Sequence, residues 1–282
     1  MKNPLLLREA SHYFKMHVWK TIVIKAWWEV VDSNHFDNFL LDVSILAWLN
    51  MKIILVFWAW KQITNALTTK KIPFEILDWI RQTSKKAAIE INKVNKTLSD
   101  TITKKLDKLW VKCKYLPEAL KSKRLWNNFT AEIESVNSKL INKYIKQDWI
   151  IIIWASIKTK SWVFTNVNAD NVAISIAEKI KPHKFIFLTS VDWVMNENRE
   201  LKKVLTKKEI KHMIKDWVIY WWMKVKTETC LKALNFSDRV HMISWLKDWK
   251  ILFELFTKEW VWTMIINSNE ELKWDFDEIP HS

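Results

Sequence analysis

The chain has 282 residues, with 45 Lys and Arg set against 31 Asp and Glu for a formal charge of +14, and 49% of it is hydrophobic. Its longest apolar run, Ile53 to Trp60, is too short to span a bilayer, and no charged start with a long apolar stretch and small-residue cleavage site marks a secretory signal. Cys113 and Cys230 lack metal-ligand spacing and the seven histidines are scattered, so no metal centre is expected and a reducing, cytosolic setting is.

The first predicted element is an amphipathic helix, Pro4 to His17, with Leu5, Leu6, Ala10, Tyr13 and Phe14 near one face. A buried strand, Thr21 to Lys25, ends in Ala26-Trp27-Trp28. A helix from Phe36 to Leu49 then leads to the strand Lys52 to Phe57, which closes with Trp58-Ala59-Trp60. Strand, helix, strand at this spacing predicts a right-handed parallel crossover. A long helix over Lys85 to Leu109, a strand over Val111 to Tyr115, a hairpin over Arg124 to Val136 and a helix over Ser138 to Lys146 follow. The most apolar strand is Ile150 to Ile153. The second half reads as helix Ala169 to Ile180, strand Phe185 to Val191, helices near Lys207 to Lys215 and Met223 to Leu234, strand Val240 to Ser244, helix Ile251 to Phe256 and strand Trp262 to Asn267. Alternation of this kind predicts an α/β fold, a three-layer αβα sandwich around a mostly parallel sheet, with ligands at the strand ends.

The composition holds one anomaly, 21 Trp and no Gly. Average usage is near ~7% Gly, which gives roughly 20 in a chain of this length. Five tryptophans follow Asp, namely Trp79, Trp149, Trp193, Trp217 and Trp249, where Asp-Gly is the turn-forming dipeptide. Trp110 stands after a charged helical run, where a helix-ending glycine belongs. These positions read as glycine, encoded by a UGA triplet that the cell reassigns and that the sequence shows as Trp. The high charge reads as composition, since Lys, Ile and Asn are all abundant. The lysines are spread along the chain without the basic block of a nucleic-acid arm.

On that reading, two glycine-rich turns, Trp27-Trp28 and Trp58-Ala59-Trp60, each follow a buried strand, and bare amides there suit an oxyanion. Lys25 ends the first strand and Lys226 follows a further pair, Trp221-Trp222. Both suit the neutralisation of phosphoryl oxygens. Singly, each turn is also explained as a bend and each lysine as a solvated side chain. Asn168, in Asn166-Val167-Asn168-Ala169-Asp170, is explained as a helix N-cap.

The ordered set of motifs is far more specific than any member. Read with glycine, Lys25-Ala26-Trp27-Trp28, the second turn, Trp79-Ile80-Arg81-Gln82-Thr83, Asn166 to Asp170, Leu188-Thr189-Ser190-Val191-Asp192-Trp193-Val194 and Trp221-Trp222-Met223-Lys224-Val225-Lys226 resemble the N-acetylglutamate kinases, of the amino acid kinase fold. The resemblance runs from the N-terminal helix to about Ile266. It implies phosphorylation of the side-chain carboxylate of N-acetyl-L-glutamate by ATP, with Mg²⁺ riding mainly on the phosphates. It also implies an N-terminal helix at 1–18, an acetylglutamate-binding lobe at 19–182 and a nucleotide-binding lobe at 183–282.

Carried over by residue, Lys25 and Lys226 resemble the pair that stabilises the transferring group, and Asp170 the carboxylate that orients both. Arg81, Asn166, Trp58, Ala59 and Trp60 fall where the substrate is held. Trp27, Trp28, Ser190, Val191, Asp192, Trp193, Tyr220 and Trp222 fall where the nucleotide binds. Kinases with the leading helix resemble interlaced hexamers inhibited by arginine near His241 and Glu259 to Thr263, so a homo-oligomer, dimer or hexamer, and an arginine effector are implied; the helix also reads as a simple cap. Ser84 and Ser190 depart from the family's Asp, the stretch Asn127 to Ala131 lacks its glycines, and the loop from Leu116 to Ser122 is unlike its usual one. Ser190 puts nucleotide positioning in question.

The rivals are another kinase of the fold acting on aminoadipate, aspartate or carbamate, and a synthase sharing the domain. The synthase is disfavoured because both lysines and Asp170 are present and no appended acetyltransferase domain follows. Literal tryptophans instead suggest a basic, indole-rich single-strand binder. No membrane partner is expected.

Overall fold

The computed structural model describes residues 4–77, 80–125, 128–189, 202–219, 221–246, 248–257 and 263–268, without the side chains of 4–9, 221 and 222. The first third contains α1 (Pro4–His17), β1 (Thr21–Ala26), α2 (Trp28–Val31), α3 (Phe36–Trp48), β2 (Lys52–Phe57) and α4 (Trp60–Thr69). The antiparallel pair β3 (Glu75–Leu77) and β4 (Ile80–Gln82) leads into α5 (Lys85–Lys108) and β5 (Cys113–Tyr115). There follow β6 (Leu120–Arg124), β7 (Thr130–Val136), α6 (Ser138–Ile145), β8 (Ile150–Trp154), β9 (Ser156–Lys158), β10 (Phe164–Val167) and α7 (Ala169–Ile180). The remainder holds β11 (Lys184–Thr189), β12 (Val204–Thr206), α8 (Lys207–Lys215), α9 (Trp221–Leu234), β13 (Arg239–Ser244), α10 (Lys250–Phe256) and β14 (Thr263–Ile266).

Eight strands form the central sheet in the order β12-β14-β13-β11-β1-β2-β8-β5. All its pairings are parallel except β13 with β14. Strands buried on both faces need near-continuous apolar runs, which Ile22-Val23-Ile24, Ile53 to Phe57 and Ile150 to Ile153 supply. The two-residue period sorts each run between two cores. Ile22, Ile24, Leu55 and Phe57 join the cluster under α3, α5 and α10, whereas Val23, Ile54 and Val56 join the one under α6, α7 and α9. These layers are the expected three-layer α/β sandwich.

Helix ends follow local chemistry. Ser84 caps α5 by accepting from the Ala87 amide at 3.2 Å, and Thr206 with Glu209 forms a reciprocal capping box on α8. At the far end of α5, Trp110 donates to the Asp107 carbonyl (3.0 Å) and Val111 to that of Leu106 (3.1 Å), with Trp110 at φ 57. That is a Schellman closure, which ordinarily carries glycine in its left-handed position.

Several features differ from the sequence expectation. The hairpin expected over Arg124 to Val136 begins earlier, with Leu120–Arg124 as its first strand. It belongs to a second sheet, β6-β7-β10-β9, whose later strands of three and four residues show no readable alternation. Helix α4 is absent from that expectation, because its buried stripe is only Ile63 and Leu67 among polar residues. The pair β3–β4 is absent from it too, since β3 is exposed throughout. Nor do all five Asp-Trp pairs place Trp in left-handed space: at 148–149 it is Asp148 that takes φ 60.

Candidate active site

Lys25 is the last polar residue of β1, and its odd position puts it on the face shared with Val23, under α7 and α9. There its ammonium meets Asp170 Oδ1 at 2.8 Å, with Lys25 entirely buried. Asp170 stands in the first turn of α7, whose N-cap Asn168 accepts from the Asp170 amide at 2.7 Å. A carboxylate in a first helical turn is favoured by the helix dipole, so it is fixed before it meets the lysine. Asn168 thus acts as the expected cap.

Lys226, on α9, reaches the same place from the neighbouring helix and donates to Thr189 Oγ1 at 3.0 Å, at the end of β11. Burial pushes the Lys226 ammonium down to about 8, and repulsion from Lys25 adds to this. Burial likewise lowers Lys25, partly offset by Asp170. Cys230, one turn beyond Lys226, is fully buried and its thiol is pushed far up, so it stays neutral. The cluster brings two lysines together at the strand ends, with Asp170 and Glu29 acting against the desolvation and mutual repulsion that lower them.

A second cationic point lies at Arg81 on β4. Its Nη2 donates to Thr64 Oγ1 at 2.7 Å and to the Trp60 carbonyl at 3.4 Å, while the buried Nη1 has no protein partner. Burial lowers it to about 10, which leaves it charged at neutral pH. Asn166, on β10, donates to Thr83 Oγ1 at 3.3 Å, and the Arg81 carbonyl accepts from Thr130 Oγ1 at 2.9 Å, which ties β4 to the small sheet. Sequence reasoning misses Thr64, Thr83, Thr130 and Thr189 as site residues. Only Thr83 and Thr189 lie within motifs, and Thr64 and Thr130 carry no sequence signal.

Between these cationic points runs a row of indoles. Trp27 lies 3.8 Å from Lys25 Nζ and 4.5 Å from Lys226 Nζ; its ring centroid is 4.6 Å from that of Trp58, which is 5.3 Å from that of Trp60. The Trp60 ring lies 4.2 Å from the Arg81 guanidinium carbon. Trp27 and Ala59 are the N-caps of α2 and α4, so both helices open side by side at the strand ends. Trp27 has φ −81 and Ala59 φ −105, so neither takes a left-handed backbone. The Trp28 ring lies 5.3 Å from Lys61 Nζ. Ser190, Val191, Asp192, Trp193 and Tyr220 lie outside the described residues, as does the side chain of Trp222, whose backbone opens α9.

Among the described residues no group of three or more His, Cys, Asp or Glu side chains is placed to hold a metal ion. None of their helices is long and apolar enough to cross a membrane.

The chain is 31% identical to the acetylglutamate kinase of Aliarcobacter butzleri, covering 94% of this chain and 92% of that one. It is 27% identical to that of Clostridioides difficile, covering 94% and 97%. Among solved structures, N-acetylglutamate synthase from Neisseria gonorrhoeae superposes with a TM-score of 0.85 at 15% identity; the match covers 94% of this chain but 63% of that protein. Giardia carbamate kinase superposes at 0.64 with 11% identity, over 88% and 99%. These two show the shared fold. Residues 20–244 match the amino acid kinase family, and the chain belongs to it.

Proposed function

We propose that this chain phosphorylates the side-chain carboxylate of N-acetyl-L-glutamate with ATP, giving an acyl phosphate in arginine biosynthesis. The carrying observation is that two cationic points, the Lys25–Asp170–Lys226 cluster and the half-satisfied Arg81, are joined by the contacting rings of Trp27, Trp58 and Trp60. A substrate with a carboxylate at each end matches that layout, Arg81 taking one and the lysines facing the other. Carbamate has no second carboxylate to offer Arg81.

Transfer between two oxygens leaves little covalent work for the protein, so positioning and charge neutralisation dominate. Lys25 and Lys226 compensate negative charge on the equatorial oxygens as it shifts, and Asp170 holds Lys25 in place. Mg²⁺ would be held mainly by the nucleotide phosphates and would supply charge neutralisation there, beside Lys25 and Lys226. Asn166 and residues 58–60 complete the substrate contacts of a lobe at 19–182; Trp27 and Trp28 of that lobe face the nucleotide, together with Trp222 and residues 190–193 and 220 of a lobe at 183–282, and a helix at 1–18 precedes both. Both cysteines are buried free thiols, in keeping with a cytosolic setting.

The finer reading of regulation is a homo-oligomer, dimer or hexamer, inhibited by arginine. A cavity of about 190 Å³ lies between α1 and the base of β13, lined by His17, His183, Lys184, His241 and Glu254 among others. His241 pairs with Glu254 at 2.6 Å there. Glu259 to Val261 and Trp262 lie outside the described residues. Deleting Met1 to His17 and measuring mass in solution and arginine response tests this; an unchanged hexamer removes the helix from the account.

The reaction itself is tested by acetylglutamate-dependent ADP release with hydroxylamine trapping of the acyl phosphate, beside aspartate, aminoadipate and carbamate. Release with one of those substrates and none with acetylglutamate overturns the assignment.

A further inference from the structure

We infer that the protein carries glycine at its 21 tryptophan positions, and that among the described ones the structure singles out two groups, ones where the backbone demands glycine and ones where an indole fills a cleft. The second group rests on the kinase reading above; the first does not.

Among the described residues nine non-glycine positions have positive φ, and five of them are Trp: 19, 110, 162, 217 and 249. The other four are Asn50, Lys71, Asp148 and Lys181, all polar. A left-handed backbone is disfavoured for any residue with a Cβ, and Trp has none of the compensating local hydrogen bonding of Asn or Asp. At three of the five the local structure is one that glycine ordinarily builds. Trp110 closes α5 as described. Trp217 closes α8 in the same way, donating to the Ile214 carbonyl at 3.4 Å while Val218 donates to that of Met213 at 2.9 Å. Trp162 donates to the Thr159 carbonyl at 3.0 Å, and Thr159 donates to that of Val163 at 2.9 Å. That is a hairpin loop between β9 and β10 whose left-handed last residue is ordinarily glycine. All five indoles are among the most exposed large apolar side chains, with Trp110 at 92%.

A surface built for stacking bases selects an exposed ring, not a left-handed backbone beneath it. Lysines do lie over two of these rings, Lys52 at 4.5 Å from Trp19 and Lys121 at 4.3 Å from Trp162, yet neither contact accounts for the φ values.

The buried indoles point the same way for a different reason. The ring nitrogens of Trp27, Trp154 and Trp245 are buried with no protein partner, whereas a buried indole N–H ordinarily finds an acceptor. Trp27, Trp58 and Trp60 pack against one another along the line from the lysines to Arg81. Hydrogen in place of those three rings would vacate the space they fill between the cationic points and leave untouched the pairs that hold Lys25 and Lys226.

Two measurements test the inference. The intact mass of the protein from its own cells, with tandem fragmentation across residues 110, 217, 27 and 58, should lie below 34.0 kDa by the indole-for-hydrogen difference at all 21 positions. A mass of 34.0 kDa, or an indole at residue 110 or 217, overturns it. In recombinant chains carrying glycine at all 21 positions, restoring Trp at 19, 110, 162, 217 and 249 should lower Tm, and an equal or higher Tm counts against the backbone half. Absence of acetylglutamate-dependent ADP release in the all-glycine chain would instead remove the kinase reading, because the mass decides the glycine assignment alone.

Discussion

Lys25 Nζ lies 2.8 Å from Asp170 Oδ1, joining the end of the first strand to the first turn of a helix 145 positions later. The lysine is wholly buried and the carboxylate only slightly exposed, so the pair holds a cation at a fixed place under the strand ends. Lys226 arrives beside it from α9, where the negative charges of Glu29 and Asp170 act on it against the repulsion from Lys25.

Replacing either lysine by alanine should depress kcat by ~10²–10³ and raise KM by much less, since each acts mainly on charge that shifts in the transition state. Steady-state kinetics on the all-glycine chain decide this. Near-normal turnover in Lys25→Ala or Lys226→Ala would show that the ammonium is not used.

The pH dependence follows from Lys226, which burial and Lys25 lower from 10.5 to about 8. Free-enzyme kcat/KM should therefore fall as pH rises through about 8, because the neutral amine no longer offsets phosphoryl charge. Stability moves the other way. Between about 8 and 10.5 the unfolded chain holds a proton that the folded one has lost, so stability rises with pH across that window. Chemical denaturation of wild type and Lys226→Met at about pH 7.5 and 9.5, on either side of the folded value, should show a larger gain in wild type, because Lys25, also lowered by burial, contributes to both.

Arg81→Ala should raise KM for acetylglutamate by roughly 30-fold, the worth of about 2 kcal/mol for a charged hydrogen bond, with a smaller effect on KM for ATP. Arg81→Lys should recover little, because a lysine cannot hold Thr64 and reach a carboxylate through the same planar fork. Equal effects on both substrates would place Arg81 outside the substrate site.

At the end of α1, His17 Nδ1 lies 3.2 Å from His183 Nε2, and burial first, then Lys184, His183 and His241, hold His17 far below its usual range. The unfolded chain takes up a proton below about 6.5 that folded His17 refuses, so this contribution is lost as pH falls through that value. Glu254, raised by its burial, acts in the opposite sense. The difference between wild type and His17→Phe is thus the quantity to measure. Their Tm gap should narrow or reverse from about pH 7.5 to about 5.5, and a constant gap would exclude His17.

Trp110→Gly made alone should stabilise the chain by about 1 kcal/mol, the left-handed strain relieved less the added freedom of the unfolded glycine. The same change at Trp154, which is buried against Phe57 at a centroid distance of 5.0 Å, should destabilise a chain already packed around that ring. Thermal melts of the two variants separate backbone strain from volume.

Much of the fold is legible because its signals are local. Apolar runs at Ile22 to Ile24, Ile53 to Phe57 and Ile150 to Ile153 mark strands buried on both faces, and Ser84, Asn168 and Thr206 stand at helix starts. The short strands of the small sheet and helix α4 are not legible, because three or four residues complete no period and α4 buries only two of its own. Lys25, Asp170, Lys226 and Arg81 stand out through ordered motifs, whereas Thr64 and Thr130 do not, since their partners are distant in sequence.

Sequence by itself determined the alternation of strands and helices, the ordered motifs that hold Lys25 and Lys226, and the anomaly of indoles without glycine. All of these depend on neighbours a few residues apart. Only the tertiary structure decided which indoles occupy left-handed turns, which crowd the lysines, and that Arg81 keeps a buried nitrogen without a protein partner. Those relations join strands and helices separated by tens of residues, and only packing fixes the distances between them.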